Sequence, residues 1–173
     1  DNLPNPYSLR NYKAIPLATH ILDRNGKLLY EIYNEQKRTP IKITSLPKYV
    51  SQAAIAIEDK DFYRHGGISI FGGIFRAVKD IILTRSLQGG STITQQLVKS
   101  ALLTPERTIQ RKLKEVVLAV WAEQIFTKDE ILELYLNQVP YGGASYGIEE
   151  ASNAYYNKPA TKLTIDEAAF LAG

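Results

Sequence analysis

A threonine followed three positions later by glutamine or glutamate, next to an apolar run, recurs at Thr92 and Gln95, Thr127 and Glu130, and Thr164 and Glu167. At a helix start the hydroxyl accepts from the third residue's backbone N–H while that residue's side chain reaches back to the threonine N–H, so each pair marks a helix beginning. Two further starts are read from Ser45 with Pro47, opening a helix through "KYVSQAAIAIED", and from Thr104 with Pro105, opening the longest helix, to Phe126. Strand alternation is confined to residues 17–33, on either side of Asn25 and Gly26, the dipeptide that favours a tight hairpin turn. The chain is therefore expected to be mainly α, with a small N-terminal β-hairpin.

The 173 residues suffice for one domain with a real core, and 45 % hydrophobic against 23 % charged residues is a globular balance. Residues 1–16 read as an N-terminal linker segment and 17–173 as the domain. With 21 Lys and Arg against 18 Asp and Glu, the net charge of +3 does not describe a nucleic-acid binder. There is no cysteine, and His20 and His65 stand alone, which excludes disulfides and thiolate metal sites. No apolar run reaches the roughly 18 residues of a membrane span, and the opening "DNLPNPYSLR" lacks the features of a signal peptide. The last residues, "DEAAFLAG", stop while a helix is still running and read as a piece cut from a longer chain. No internal repeat is present.

Four stretches carry chemistry or its alternatives. In "EDKDFYRHGG", Glu58 falls near a helix C-terminus, where the dipole disfavours a carboxylate. Either it belongs to a solvated helix end with Phe62 as a core anchor, or Ile57 gives it partly apolar surroundings that suit a general base, with His65 shaping the turn beside it. In "GGSTITQQLVK", Ser91, Thr92, Gln95 and Gln96 are either an ordinary capped helix start or a set of donors for an anion or a sugar, with Lys99 near the face of Gln95. The lysine is out of register for a P-loop.

In "ERTIQRKLKE", Arg107, Arg111 and Glu115 are spaced by four, with Lys112 beside them. They form either an exposed ion-pair ladder or a cationic cradle for pyrophosphate with one carboxylate inside it. Residues 69–87 set Ile70, Phe71, Ile74, Phe75, Val78, Ile81 and Ile82 on one helical stripe edged by Arg76, Lys79 and Arg85. That stripe fits core packing or a membrane interface.

In their order along the chain these stretches resemble the peptidoglycan glycosyltransferases, the transglycosylase domain of class A penicillin-binding proteins and of monofunctional transglycosylases. "EDKDFYRHGG" is similar to that family's EDxxFxxHxG motif, "GGSTITQQLVK" to GxSTxTQQ, "RKLKE" to RKxxE and "KDEILELYLN" to KxxILExYLN. "ASYGIEEASNAYYNK" is similar to the segment that follows.

The resemblance implies a lysozyme-like, two-lobed helical fold, with residues 69–87 in the smaller, membrane-facing lobe. The implied reaction polymerises lipid II into β-1,4-linked glycan strands, with inversion and release of undecaprenyl pyrophosphate. Glu58 matches the base on the acceptor hydroxyl, and Glu115 the carboxylate near the pyrophosphate, where a divalent ion, magnesium or manganese, is also implied. Lys99, Arg107 and Lys112 match diphosphate-holding positions; Ser91, Thr92, Gln95 and Gln96 match the cleft lining; Asp59, Phe62 and His65 complete the first motif.

The implied partners are lipid II, the growing strand, the membrane surface and moenomycin-type inhibitors, with no organic cofactor and no nucleic acid. The implied place is the periplasmic or extracellular face of a bacterial cell membrane. The family's usual transmembrane anchor and transpeptidase domain are not in the sequence. Pro140 with Tyr141, and Asn157 in place of a usual glycine, depart from the family pattern. Two rivals remain at this point. A lysozyme-like muramidase shares the implied fold but needs no cationic cradle, and a non-catalytic membrane or partner-binding module needs neither carboxylate.

Overall fold

The computed structural model describes residues 3–10, 18–22, 24, 28–33, 39–67, 91–104, 106, 108–143 and 145–173. Among them are six α-helices: α1 (Lys48–Glu58), α2 (Ile93–Leu102), α3 (Ile109–Ile125), α4 (Lys128–Gln138), α5 (Ile148–Tyr156) and α6 (Ile165–Ala172). Two antiparallel strands, β1 (Ala18–Leu22) and β2 (Leu28–Tyr33), pair Ala18 with Tyr33 and Ile21 with Tyr30, with a register shift before Leu22 meets Leu28. The fold is thus a mainly helical domain with a small hairpin, of the lysozyme-like kind the sequence implies. The expected turn at Asn25 and Gly26 and the expected lobe at 69–87 lie outside the described residues.

The local signals account for most helix starts. Thr92, Thr127 and Thr164 each close a complete capping box, with Gln95, Glu130 and Glu167 respectively. Two starts differ from expectation. The Ser45 hydroxyl is spent on the Lys42 carbonyl inside a 3-10 turn, and Pro47 takes the cap position of α1. The longest helix begins at Ile109 rather than after Thr104, because the Thr108 hydroxyl accepts from the Arg111 N–H at 3.1 Å.

Helix α4 is the spine. Ile131, Leu132, Leu134, Tyr135, Leu136, Asn137 and Gln138 are all buried, so it is enclosed nearly all round. α2 packs on both α3 and α4, joining Ile93, Leu97 and Val98 to Leu118, Ala119 and Ala122 in one core; α1 packs on α6. Each fully buried aliphatic side chain there contributes about 1.5–3 kcal/mol. The start of the expected linker is tied to this body. Residues 6–10 form a 3-10 turn whose Leu9 is buried, its carbonyl accepting from Gln138 Nε2 at 2.9 Å, while Arg10 lies 5.1 Å over the Phe126 ring.

Candidate active site

The turn after α1 is bolted to the start of α2, and this sets the place of Glu58. Asp59 caps α1 through its N–H on the Ile55 carbonyl. Its buried carboxylate accepts from His65 Nε2, at 2.8 and 3.0 Å to its two oxygens, and from the Ile93 N–H at 3.1 Å. Phe62 is fully buried beneath the Lys128 ammonium, 4.3 Å from the ring centroid. The Thr92 hydroxyl donates to the Gly67 carbonyl at 2.8 Å. Gly67 has φ +79°, and a Cβ there would lie 2.9 Å from both the Ala119 carbonyl oxygen and Glu123 Cγ, so only glycine fits.

With the turn fixed, Glu58, the last residue of α1, stands at the mouth of a cavity of about 1050 Å³. Its Oε2 accepts from Gln96 Nε2 at 2.5 Å. Of the two surroundings read from the sequence, the solvated one is found: Glu58 is exposed, and neighbouring Ile57 is 54 % exposed, so the carboxylate is wet on one side. Ser91, Gln96 and Lys99 line the same cavity, and among the described residues no carboxylate pairs with Lys99.

Of the two readings of the Arg111–Glu115 stretch, the exposed ladder does not hold, because its carboxylate is buried between two partly exposed cations. Glu115 is 1 % exposed; its Oε2 takes Arg111 Nη1 at 2.9 Å, and its Oε1 takes Lys112 Nζ. Lys112 Nζ also donates to the Ser91 hydroxyl at 3.0 Å. This links the cluster to the cavity wall, so the two carboxylates stand at the ends of one polar path that runs through Gln96, Ser91 and Lys112.

The predicted residues therefore divide. Glu58, Ser91, Gln96 and Lys99 share the cavity; Lys112 and Glu115 back its cationic side. Thr92 and Gln95, expected to line the cleft, are buried and bonded to each other's backbone in the α2 cap. Asp59, Phe62 and His65 hold the turn from beneath. Arg107 lies outside the described residues. The implied divalent ion does not fit a protein-held site: both Glu115 oxygens are taken by cations, and among the described residues no three His, Asp or Glu side chains are grouped to hold a metal.

Sequence reasoning missed the aromatic wall, formed by Tyr135, Tyr141, Tyr155 and Phe170. Tyr141 packs in place with its carbonyl accepting from the Tyr155 hydroxyl at 2.9 Å. Burial, then the Glu58 charge, pushes the Tyr135 hydroxyl's ionisation upward; burial, then Tyr135 and Glu58, does the same to Tyr141. Both remain neutral donors in any physiological range. The one available sequence signal was Tyr135 itself, a polar-tipped side chain within the apolar run "ILELYLN".

A helical domain in which an exposed carboxylate and a lysine line one cavity, with a second lysine bonded to a serine of its wall, is the arrangement these residues define. The Transglycosylase family model matches residues 25–173. Penicillin-binding protein 1A of Rickettsia bellii is 44 % identical over 99 % of the chain, penicillin-binding protein 1F of Bacillus subtilis is 46 % identical over 90 %, and penicillin-binding protein 1A of Escherichia coli is 41 % identical over 99 %. The chain spans 22 %, 22 % and 20 % of those relatives' lengths, about a fifth of each. The chain belongs to the transglycosylase family.

Proposed function

We propose that this domain is a peptidoglycan glycosyltransferase that joins lipid II units into β-1,4-linked glycan at a bacterial membrane surface, on its periplasmic or extracellular side. The observation that carries the reading is the shared cavity of Glu58 and Lys99, with Lys112 and Glu115 behind Ser91. The family membership and the penicillin-binding relatives support it.

Glu58 takes the proton from the acceptor sugar's hydroxyl as that oxygen bonds to the donor's anomeric carbon with inversion. The bond from that carbon to the diphosphate oxygen breaks, and its electron pair leaves with the diphosphate. Lys99 and Lys112 neutralise the charge that grows there, a fixed electrostatic contribution of the oxyanion-stabilising kind. Glu115 holds Arg111 and Lys112 in place against their mutual repulsion. Arg107 is assigned to the same diphosphate. No protein ligand is assigned to a divalent ion, which would have to be carried by the diphosphate. Moenomycin-type inhibitors would compete for the same cavity.

The test is a gel of glycan products from labelled lipid II, with and without moenomycin. A ladder of polymers that disappears with the inhibitor is expected. Release of reducing sugar from finished peptidoglycan, with no polymer made from lipid II, would replace the reading with a muramidase.

A further inference from the structure

Gln96 lines the cavity between Glu58 and Ser91, bonded to both, and its amide is held in one orientation. Nε2 donates to Glu58 Oε2 at 2.5 Å and to the Ser91 carbonyl at 3.4 Å, while Oε1 accepts from the Tyr135 hydroxyl at 3.4 Å. The Ser91 carbonyl and the Glu58 carboxylate accept only, so turning the amide over would set oxygen against oxygen at both. Tyr135 is 6 % exposed on the enclosed helix α4, which gives the outer end of the clamp a rigid base.

We propose that Gln96, braced by Tyr135 and the Ser91 carbonyl, is the positioning residue for Glu58. It occupies Oε2 and leaves Oε1 as the oxygen that receives the acceptor's proton. This rests on the reading of Glu58 as the base. An exposed glutamate at a helix end has free side-chain torsions, and a base must hold its oxygen within hydrogen-bond reach of the proton it takes. A donor fixed on the far oxygen restricts that freedom. Because Ser91 contributes its carbonyl to the clamp and its hydroxyl to Lys112, the same residue registers the base against the diphosphate cations. Gln96 therefore acts through Glu58 from its place in the cavity lining.

The experiment measures kcat and KM for lipid II on the purified full-length protein in detergent, with thermal unfolding alongside, for wild type, Gln96→Met, Tyr135→Phe and Glu58→Gln. Gln96→Met is expected to lower kcat by roughly 10- to 100-fold with KM within about threefold of wild type, the pattern of a misplaced catalytic group. Tyr135→Phe, which removes one oxygen, is expected to lower kcat in the same sense by about 3- to 10-fold. Wild-type kcat in both folded variants overturns the clamp, and so does a loss confined to KM, which would make Gln96 a substrate contact. Should Gln96→Met fail to fold, Tyr135→Phe decides alone. Normal turnover by Glu58→Gln would instead sink the base assignment, whereas an inactive Glu58→Gln beside an unimpaired Gln96→Met would sink only the clamp.

Discussion

Glu115 shows how one residue's environment can escape its sequence context. Spacing by four with Arg111 is visible in the sequence and so is the neighbouring Lys112, but a solvated ladder and a buried cluster have the same spacing. Helix α3 settles the matter by turning its charged side inward: Glu115 is 1 % exposed, while Ile109 and Leu113 on the other side are 81 % and 62 % exposed. Amphipathic reasoning buries the apolar stripe, and here part of that stripe faces out. Glu115→Gln leaves Arg111 and Lys112 without their anion, and a loss of about 3 kcal/mol is expected from breaking a buried pair on one side. Urea melts of the two proteins measure it; an unchanged midpoint would mean the cluster is solvated. Asn157 is the opposite case. Its φ of 51° at the α5 C-cap is the left-handed conformation that glycine adopts most cheaply and asparagine next, so the departure from the family pattern is conservative.

At the level of the helices, the threonine boxes at α2, α4 and α6 were legible because a cap is decided within four residues. Ser45 and Thr104 misled because a better-placed neighbour, Pro47 in one case and Thr108 in the other, took the cap. The α2 start carries more than its own helix, since the Thr92 hydroxyl also holds the Gly67 carbonyl and thereby the turn that sets Glu58. Thr92→Ala should therefore cost about 1–2 kcal/mol, at the upper end for a lost cap. Thermal unfolding gives the stability loss. At a temperature where the variant is folded, its KM for lipid II should match wild type, because Thr92 lies outside the cavity; a raised KM would return it to the substrate.

Over the whole molecule, the helical content was legible from local signals, whereas the cavity was not. Its walls come from α1, Ser91 and one side of α2 down to Ser100, Tyr135 and the residues after α4, Tyr155 and α6, brought together by packing that no single stretch encodes. Tyr141 and Phe170 join Glu58 only in the folded chain. The titrating groups make a global prediction. Tyr63 is pushed up to about 12 by burial and its bond to Asp129, and Tyr135 and Tyr141 are also raised. A raised group stabilises fully below its unfolded value of 10.0, and that contribution is lost as pH climbs toward the folded value, about 12 for Tyr63. Glu130 is lowered, chiefly by the Thr127 N–H, so its contribution is present above the ordinary 4.5 and lost as pH falls below it. Urea midpoints followed across pH should therefore fall at both ends, beginning near 10.0 and near 4.5. A flat alkaline limb would show the tyrosines to be solvated.

Glu58 as the base is tested most directly by the rate of glycan formation by Glu58→Gln measured next to its binding of moenomycin. The expected result is polymerisation reduced by roughly 100- to 10,000-fold, the worth of a positioned general base, with inhibitor binding retained and the unfolding midpoint unchanged. Near-normal polymerisation by a folded, inhibitor-binding Glu58→Gln protein would mean that another group takes the proton.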